Sequence, residues 1–250
     1  MKYHEIKKIV KEGYTQIAKQ QPCGSSGCCG SAKKEFDEKI AREIGYSEED
    51  IKAHPEANLG LGCGNPVAIS KIKSGDIVLD LGSGAGFDCF LASRKLNGTG
   101  KVIGVDMTEE MIEKARANAK KYKLENVEFR LGDIEELPVD SETIDIVISN
   151  CVINLAPDKS KVFKEAYRVL KKGGKMYVSD IVLLGELTKE QKNNPHLLTG
   201  CVAGALPIAE YLEIVKSTGF KVKILGEDKD ISKKQYNGIP LESLKIEAVK

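Results

Sequence analysis

The 250-residue chain has almost no net charge: 38 Lys and Arg stand against 37 Asp and Glu, leaving +1. So even a balance excludes long-range attraction to nucleic acid or to an anionic membrane surface as a first expectation. A long hydrophobic run is also missing. The longest uncharged, apolar-rich stretch, Leu197 to Ala209, falls short of the ~20 residues needed to span a bilayer and is broken by Gly200, Gly204 and Pro207. It reads as a loop or lid. The N-terminus has no uninterrupted apolar segment, because Ile6, Ile9, Val10, Tyr14 and Ile17 recur at helical spacing between charges. No secretory signal is therefore expected, and a cytoplasmic location is. There is no internal repeat, and the three histidines have no evident partners: His4 and His54 are expected at the surface, and His196 stands alone near Cys201.

What is present begins with ordinary globular composition, 41% hydrophobic and 30% charged. Residues 1–72 contain helical stretches around the small-residue segment QPCGSSGCCGSAKK, including Glu35 to Ile44, and show no strand alternation. From Ile77 onward, short β-rich runs alternate with helical ones: IVLDL, a helix from Phe87, VIGVD, a helix from Glu109 to about Tyr122, VEFRL and IDIVIS. That alternation predicts a doubly wound, mostly parallel α/β sheet. A helix near Asp158 to Leu170 is expected to stop at Gly173 and Gly174, before a strand from Lys175 to Ser179. Residues 181–206 break the rhythm as a lid-like insertion, followed by a helix from Ile208 and by two runs, FKVKIL and LKIEAV, patterned as edge strands. The expected division is an N-terminal extension over 1–72, a nucleotide-binding core over 73–180, and a region over 181–250 that supplies the lid and completes a seven-stranded sheet.

The strand IVLDL runs into Asp80-Leu81-Gly82-Ser83-Gly84-Ala85-Gly86, a turn that opens a helix and lets a ligand approach the backbone. Its G-x-G-x-G spacing differs from the G-x-G-x-x-G of dinucleotide folds and disfavours NAD or FAD. Twenty residues after Gly86, Asp106 ends VIGVD, where a carboxylate can accept both hydroxyls of a ribose. Asp133, in Leu131-Gly132-Asp133-Ile134, closes the next strand and could accept from an adenine amino group. In an open α/β sheet these strand ends line one crevice. At these intervals the chain resembles the class I S-adenosylmethionine-dependent methyltransferases over about residues 73–180. The resemblance implies S-adenosylmethionine as cofactor, bound by Asp80, Gly82, Gly84, Gly86, Asp106, Met107, Asp133, Ile134 and Asn150.

Seven cysteines without a secretory signal suggest reduced thiols rather than a disulfide scaffold. Cys151 directly follows the strand IDIVIS, which in this fold neighbours the first strand, so its thiol should lie beside the glycine turn. Cys63, in LGLGCGNP, and Cys201, in TGCVAGAL, are flanked by glycines that free the backbone to bring sulfur close to a ligand. These positions lack the paired knuckles of zinc sites and the closer spacings of iron–sulfur sites. Scattered thiols suit a three-coordinate thiophilic centre, and trivalent arsenic is one. With LGLGCGNP, SNCVINL and GCVAGAL in place, the chain resembles the arsenite S-adenosylmethionine methyltransferases from about Ser47 to Phe220. The resemblance implies that Cys63, Cys151 and Cys201 bind As(III), and that an N-terminal cysteine passes arsenic on or forms a disulfide during turnover. Cys28 and Cys29 are the candidates, with Cys23 nearby; Cys89, inside a helix, reads as packing.

The implied reaction takes arsenite, or its glutathione or other thiol complex, onto the three thiolates, whose protons must leave on binding. The arsenic lone pair then displaces the sulfonium methyl without a general base, in keeping with the absence of an obvious acid/base pair. A reductant such as thioredoxin or glutathione would restore the thiols. Two other readings stay open at this point: a carbon or oxygen methyltransferase of the same fold, and a thiol-based metalloid-binding protein without turnover.

Overall fold

The computed structural model describes residues 3–19 and 29–250. Before the sheet come α1 (Tyr3–Lys19), α2 (Cys29–Glu43), α3 (Glu48–Ala53) and α4 (Pro66–Ile69). The second helix starts earlier than the expected Glu35, at Cys29. The alternating region then runs β1 (Ile77–Leu81), α5 (Phe87–Lys95), β2 (Lys101–Asp106), α6 (Glu109–Lys121), β3 (Val127–Leu131), β4 (Ile144–Asn150), α7 (Lys159–Val169) and β5 (Leu170–Leu183). It closes with α8 (Lys189–Lys192), α9 (Pro195–Thr199), β6 (Leu206–Pro207), α10 (Ile208–Ser217), β7 (Lys221–Asp228), α11 (Ile231–Gln235) and β8 (Leu241–Val249). No helix among the described residues is long and apolar enough to cross a membrane.

The strands form one sheet in the order β3-β2-β1-β4-β5-β8-β7, with the two-residue β6 pairing β5 off this path. The pairings from β3 to β5 are all parallel, and β8 inserts antiparallel between β5 and β7. The order reverses between β1 and β4, so the crevice for a ligand opens beyond the ends of these two strands. The mostly parallel sheet expected from the sequence is present, with eight strands rather than seven because the short β6 adds to β5.

Alternation of side chains across the pleat builds a core on each face. Val78, Ile146, Ile148, Tyr177 and Ile181 pack on one side with Phe90 of α5, Leu96 just after it and Ala115 of α6. Leu79, Leu81, Val147, Met176 and Val178 pack on the other with Phe163 of α7 and Tyr211 of α10. Both faces of the central strands are thus covered, which explains why they read as continuous apolar runs.

Three expectations are corrected. Gly173 and Gly174 do not separate helix from strand; β5 already starts at Leu170 and carries both glycines where the β4–β5 register shifts. LKIEAV is not an edge strand, because β8 is hydrogen-bonded on both sides; of the two runs only FKVKIL, in β7, lies at an edge of the sheet. His54 is not at the surface: it is 6% exposed, with its ring between Phe90 and Tyr122 and neither nitrogen hydrogen-bonded.

Burial lowers the His54 pKa from its ordinary 6.5, the positive Arg94 adding to the effect. Because the unfolded chain then binds the proton more readily, His54 contributes stability that is complete above about pH 6.5 and lost as pH falls through the lowered value. His54→Phe is accordingly expected to lose less stability than the parent between about pH 6.5 and 5, read as the difference between their urea midpoints at each pH. Parallel pH dependences in the two proteins would contradict this.

Candidate functional site

Beyond the ends of β1, β2 and β4 lies a cavity of ≈ 510 Å³. On one flank it is lined by Asp80, Gly82, Gly84, Asp106, Met107, Asp133, Ile134 and Asn150, which the sequence assigned to the donor. Gly86 is not among the lining residues: it precedes α5 with φ +96°, and a Cβ there would sit 2.6 Å from the Phe90 ring. Its place is in the packing that holds the turn against the aromatic core. Ser83 also lines the cavity, and its buried hydroxyl has no hydrogen-bond partner.

The Asp106 carboxylate accepts from the Gly84 N–H at 3.0 Å and from the Thr108 N–H at 2.8 Å, which ties the ends of β1 and β2 together. Asp133 is less free than its position suggested. One of its oxygens accepts from Lys7 of α1 and the other from the Glu135 N–H at 2.9 Å. The first helix therefore reaches over the mouth of the cavity, a contact that no local sequence pattern announced.

Behind the turn lie two further carboxylates. Asp80 is 2% exposed and accepts from the Cys89 thiol at 3.2 Å, while Asp88 accepts from Tyr46 at 2.6 Å and from Asn150 at 3.2 Å. Burial raises both pKa values, that of Asp88 to about 6, and the charge of Asp88 raises Asp80 further. Neither forms an ion pair among the described residues, so a cationic group entering the cavity would relieve an uncompensated pair of buried acids. Cys89 is fully buried in α5, consistent with packing, and its bond to Asp80 adds to that role.

The other flank gathers the thiols. Cys63, Cys151 and Cys201 are 1%, 5% and 4% exposed. They arrive from three separated loops: one before α4, one after β4 and one after α9. Cys151 and Cys201 line the cavity, whereas Cys63 lies just behind the wall with its sulfur 3.4 Å from the Ser179 carbonyl oxygen. The Cys201 thiol donates to the Cys151 carbonyl oxygen, and the sulfurs of Cys63 and Cys151 lie within 4.8 Å of each other. Cys151 and Cys201 have φ of +57° and +66°, a left-handed conformation that few residues other than glycine adopt.

The glycines around Cys63 serve close approach, as their placement suggested. A Cβ on Gly62 would lie 2.8 Å from the Asn150 amide nitrogen, and one on Gly64 would lie 2.6 Å from Ser179 Cβ. Asn150 locks this loop: its side-chain oxygen accepts from the Cys63 N–H at 3.1 Å, and its amide donates to the Gly64 carbonyl at 2.9 Å. The same amide contacts Tyr46 and Asp88, so Asn150 joins the thiol flank to the acidic flank.

Burial pushes the Cys63 thiol up; Cys201 is raised well above the usual thiol range by its bond with Cys151 and by burial. A bond with Cys201 pulls Cys151 down, but its bond with Cys63 and burial leave it raised as well. With no ligand the cluster is thus a set of protonated, neutral thiols.

Three groups here escaped the sequence reading. Asp180, in the middle of β5, is fully buried, and one of its oxygens lies with the sulfurs of Cys63 and Cys151 in a group whose members are all within 4.8 Å of one another. Burial raises its pKa to about 7 against the pull of Tyr211, which donates to it at 3.0 Å. A carboxylate inside the apolar run MYVSDIVLL was the available signal. Tyr14 of α1 lines the cavity with Cys201 and donates to the Thr199 carbonyl at 3.4 Å, and Tyr236 lines the cavity after α11. Of the relay candidates, Cys28 lies outside the described residues, and Cys29 is the first residue of α2.

Residues 72–234 match the model of a methyltransferase domain family. The chain is 45% identical to the arsenite methyltransferase of Halobacterium salinarum over 90% of its own length and 60% of that protein's. It is 37% identical to the human arsenite methyltransferase over 86% of its length and 58% of that protein's. It therefore spans little more than half the length of these curated relatives. A solved structure of CrArsM, an arsenic(III) S-adenosylmethionine methyltransferase from Chlamydomonas reinhardtii, superposes with a TM-score of 0.66 at 32% identity, covering 84% of this chain and 73% of that one. With a methyltransferase-domain match over its core and this likeness over most of a solved relative, the chain belongs to the family of arsenic(III) S-adenosylmethionine methyltransferases.

Proposed function

We propose that the protein transfers a methyl group from S-adenosylmethionine to trivalent arsenic held by Cys63, Cys151 and Cys201. The observation that carries this reading is the convergence of three buried thiols from three distant loops at one flank of a cavity, opposite a flank of acids. A carbon or oxygen methyltransferase would have no use for such a cluster, and a metalloid buffer would have none for the donor flank.

The acidic flank fits the donor. S-adenosylmethionine carries a sulfonium and an ammonium, which suit the uncompensated acids Asp80 and Asp88, and Asp106 stands where a ribose would meet a charged acceptor. When bound, the donor supplies an electrophilic methyl group. Gly82, Gly84, Met107, Ile134 and Asn150 complete the wall that would hold it, Gly86 backs the turn, and Asp133 stands at the mouth beside Lys7.

The chain's own part is capture and alignment. Cys151 and Cys201, which face the cavity, would meet arsenic first, and Cys63 would close the third bond from behind the wall. No protein base is needed, since each thiol proton leaves with the hydroxide of arsenite, as water, or with a departing thiolate of a glutathione complex. Bound this way, arsenic keeps a lone pair, and holding both reactants in line can offset ~7 to 11 kcal/mol of barrier in favourable cases. Regeneration calls for a thiol reductant of the thioredoxin or glutathione kind and a reducing compartment such as the cytoplasm. Cys28 or Cys29 would hand arsenic to the cluster, and the segment after β5 that carries Cys201 would serve as the lid. In this reading the chain divides into an extension (1–72), a core begun at 73 whose last parallel strand, β5, runs past the expected boundary at 180 to Leu183, and a lid region that follows it to 250.

Reduced protein incubated with S-adenosylmethionine, arsenite and a thiol reductant is expected to form methylarsenicals, read by chromatography with element-specific mass detection. Donor binding without any methylated arsenic would refute the assignment.

A further inference from the structure

Methyl transfer to arsenic moves a charge. The arsenic lone pair forms the As–C bond, the C–S bond of the donor breaks with its electron pair passing to sulfur, and no proton moves. Sulfur ends as a neutral thioether. Arsenic, neutral when bonded to three thiolates, becomes formally pentavalent and takes over the positive charge that the sulfonium loses. The acids at the donor flank, Asp80 and Asp88, face the charge before transfer; an enzyme that speeds the step must favour the charge where it arrives.

We propose that Asp180 is the residue that does this: its carboxylate, fixed beside Cys63 and Cys151 at the base of the thiol cluster, stabilises the positive charge that develops on arsenic. This role rests on the methyltransferase reading above and goes beyond it, since it assigns a part to a residue that bonds neither the donor nor, as a thiolate would, the acceptor.

The geometry supports it on two counts. Proximity is the first: a carboxylate oxygen and the two sulfurs lie within 4.8 Å of one another, so an atom bonded to both sulfurs sits inside the reach of this charge. The second is preorganisation. Asp180 Oδ1 accepts from the Asn154 amide at 2.9 Å and from the Ile181 N–H at 3.0 Å, and Oδ2 accepts from Tyr211 at 3.0 Å. All three donors favour the ionised form and hold it still, which is what a charge must have to act on a transition state without reorganising. Lys159 of α7 faces the same carboxylate, but its ammonium is directed at the Ala156 carbonyl oxygen, 3.4 Å away, and no ion pair forms. Asp180 is fully buried, so no water competes at its surface.

The test separates charge from support. Asp180→Asn keeps the shape and removes the charge. At about pH 8, its kcat for arsenite methylation is expected to fall about 10- to 100-fold. Arsenite affinity, followed by the fluorescence of the eight tyrosines in a chain without tryptophan, should stay within about threefold or tighten, because the anion no longer faces the thiolates. Loss of arsenite binding together with kcat would make Asp180 a structural prop and overturn the role, as would an unchanged kcat. If Asp180→Asn does not fold, Tyr211→Phe decides: it removes one hydrogen bond to the carboxylate, and a several-fold drop in kcat at constant arsenite affinity is expected, whereas no drop overturns the role. A parent protein that makes no methylarsenical overturns the underlying reading as well, whereas parent activity with undiminished turnover in Asp180→Asn overturns this role alone.

Discussion

Serine at Cys151 or Cys201 should lower arsenite methylation by at least about a thousandfold while S-adenosylmethionine binding changes by no more than about threefold. Cys151 and Cys201 line the cavity from different loops, so in the proposed reading each would supply a separate bond to the acceptor. A serine hydroxyl is a hard, neutral oxygen that stays protonated at neutral pH and does not replace a thiolate on a soft centre. Two remaining thiols leave arsenic exchangeable with free thiols in solution, and the lone pair loses its fixed direction. The left-handed backbone at both positions is no harder for serine than for cysteine, so the fold is expected to stay intact. Donor affinity by calorimetry and methylarsenical yield on the same preparation make the comparison. Full activity in either variant would remove the three-thiolate assignment.

On the opposite flank, Asp106→Ala is expected to weaken donor binding by at least about a hundredfold, since hydrogen bonds to a charged acceptor contribute ~1.5 to 3 kcal/mol each and a ribose would offer two. The same change frees the N–H groups of Gly84 and Thr108, which now point at the carboxylate from either side of the cavity floor. Arsenite binding, measured by tyrosine fluorescence, should persist, because no hydrogen bond of Asp106 reaches the thiol flank. An unchanged affinity for S-adenosylmethionine would place the donor elsewhere.

These two flanks were unequally visible in the sequence. The donor turn was legible because it is local: strand, turn and helix follow one another, and the acid of the next strand comes twenty residues after Gly86. Cys151 was legible for the same reason, as the residue directly after a central strand. The contribution of Cys63 and Cys201 could be guessed from flanking glycines, but their meeting point depends on loops that no periodicity describes. Asp180, Tyr14 and Tyr236 were invisible as site residues. Asp180 and Tyr14 lie inside ordinary-looking elements and Tyr236 just after one, and what matters is what another element brings near: α10 supplies Tyr211, and α1 crosses from the mouth at Lys7 to the cavity wall at Tyr14.

The errors in the fold reading have the same origin. LKIEAV alternates as a half-exposed strand would, yet its neighbours on both sides bury it, and a single strand's pattern does not report how many partners it has. Gly173 and Gly174 look like a stop after a helix, but they lie within β5 between its two registers with β4, where they accommodate the shift instead. His54 lies among charged residues in the sequence and among aromatic rings in space.

The left-handed backbone at Cys151 and Cys201 has a consequence for how such a chain can change over generations. At both positions the conformation alone would prefer glycine or asparagine, and keeping cysteine there costs of order 1 kcal/mol each. On the proposed reading, selection for a sturdier fold would pull these two codons away from sulfur, and continued exposure to the acceptor would pull them back. A lineage released from that exposure would be expected to drift first at these two positions, gaining stability as it loses chemistry.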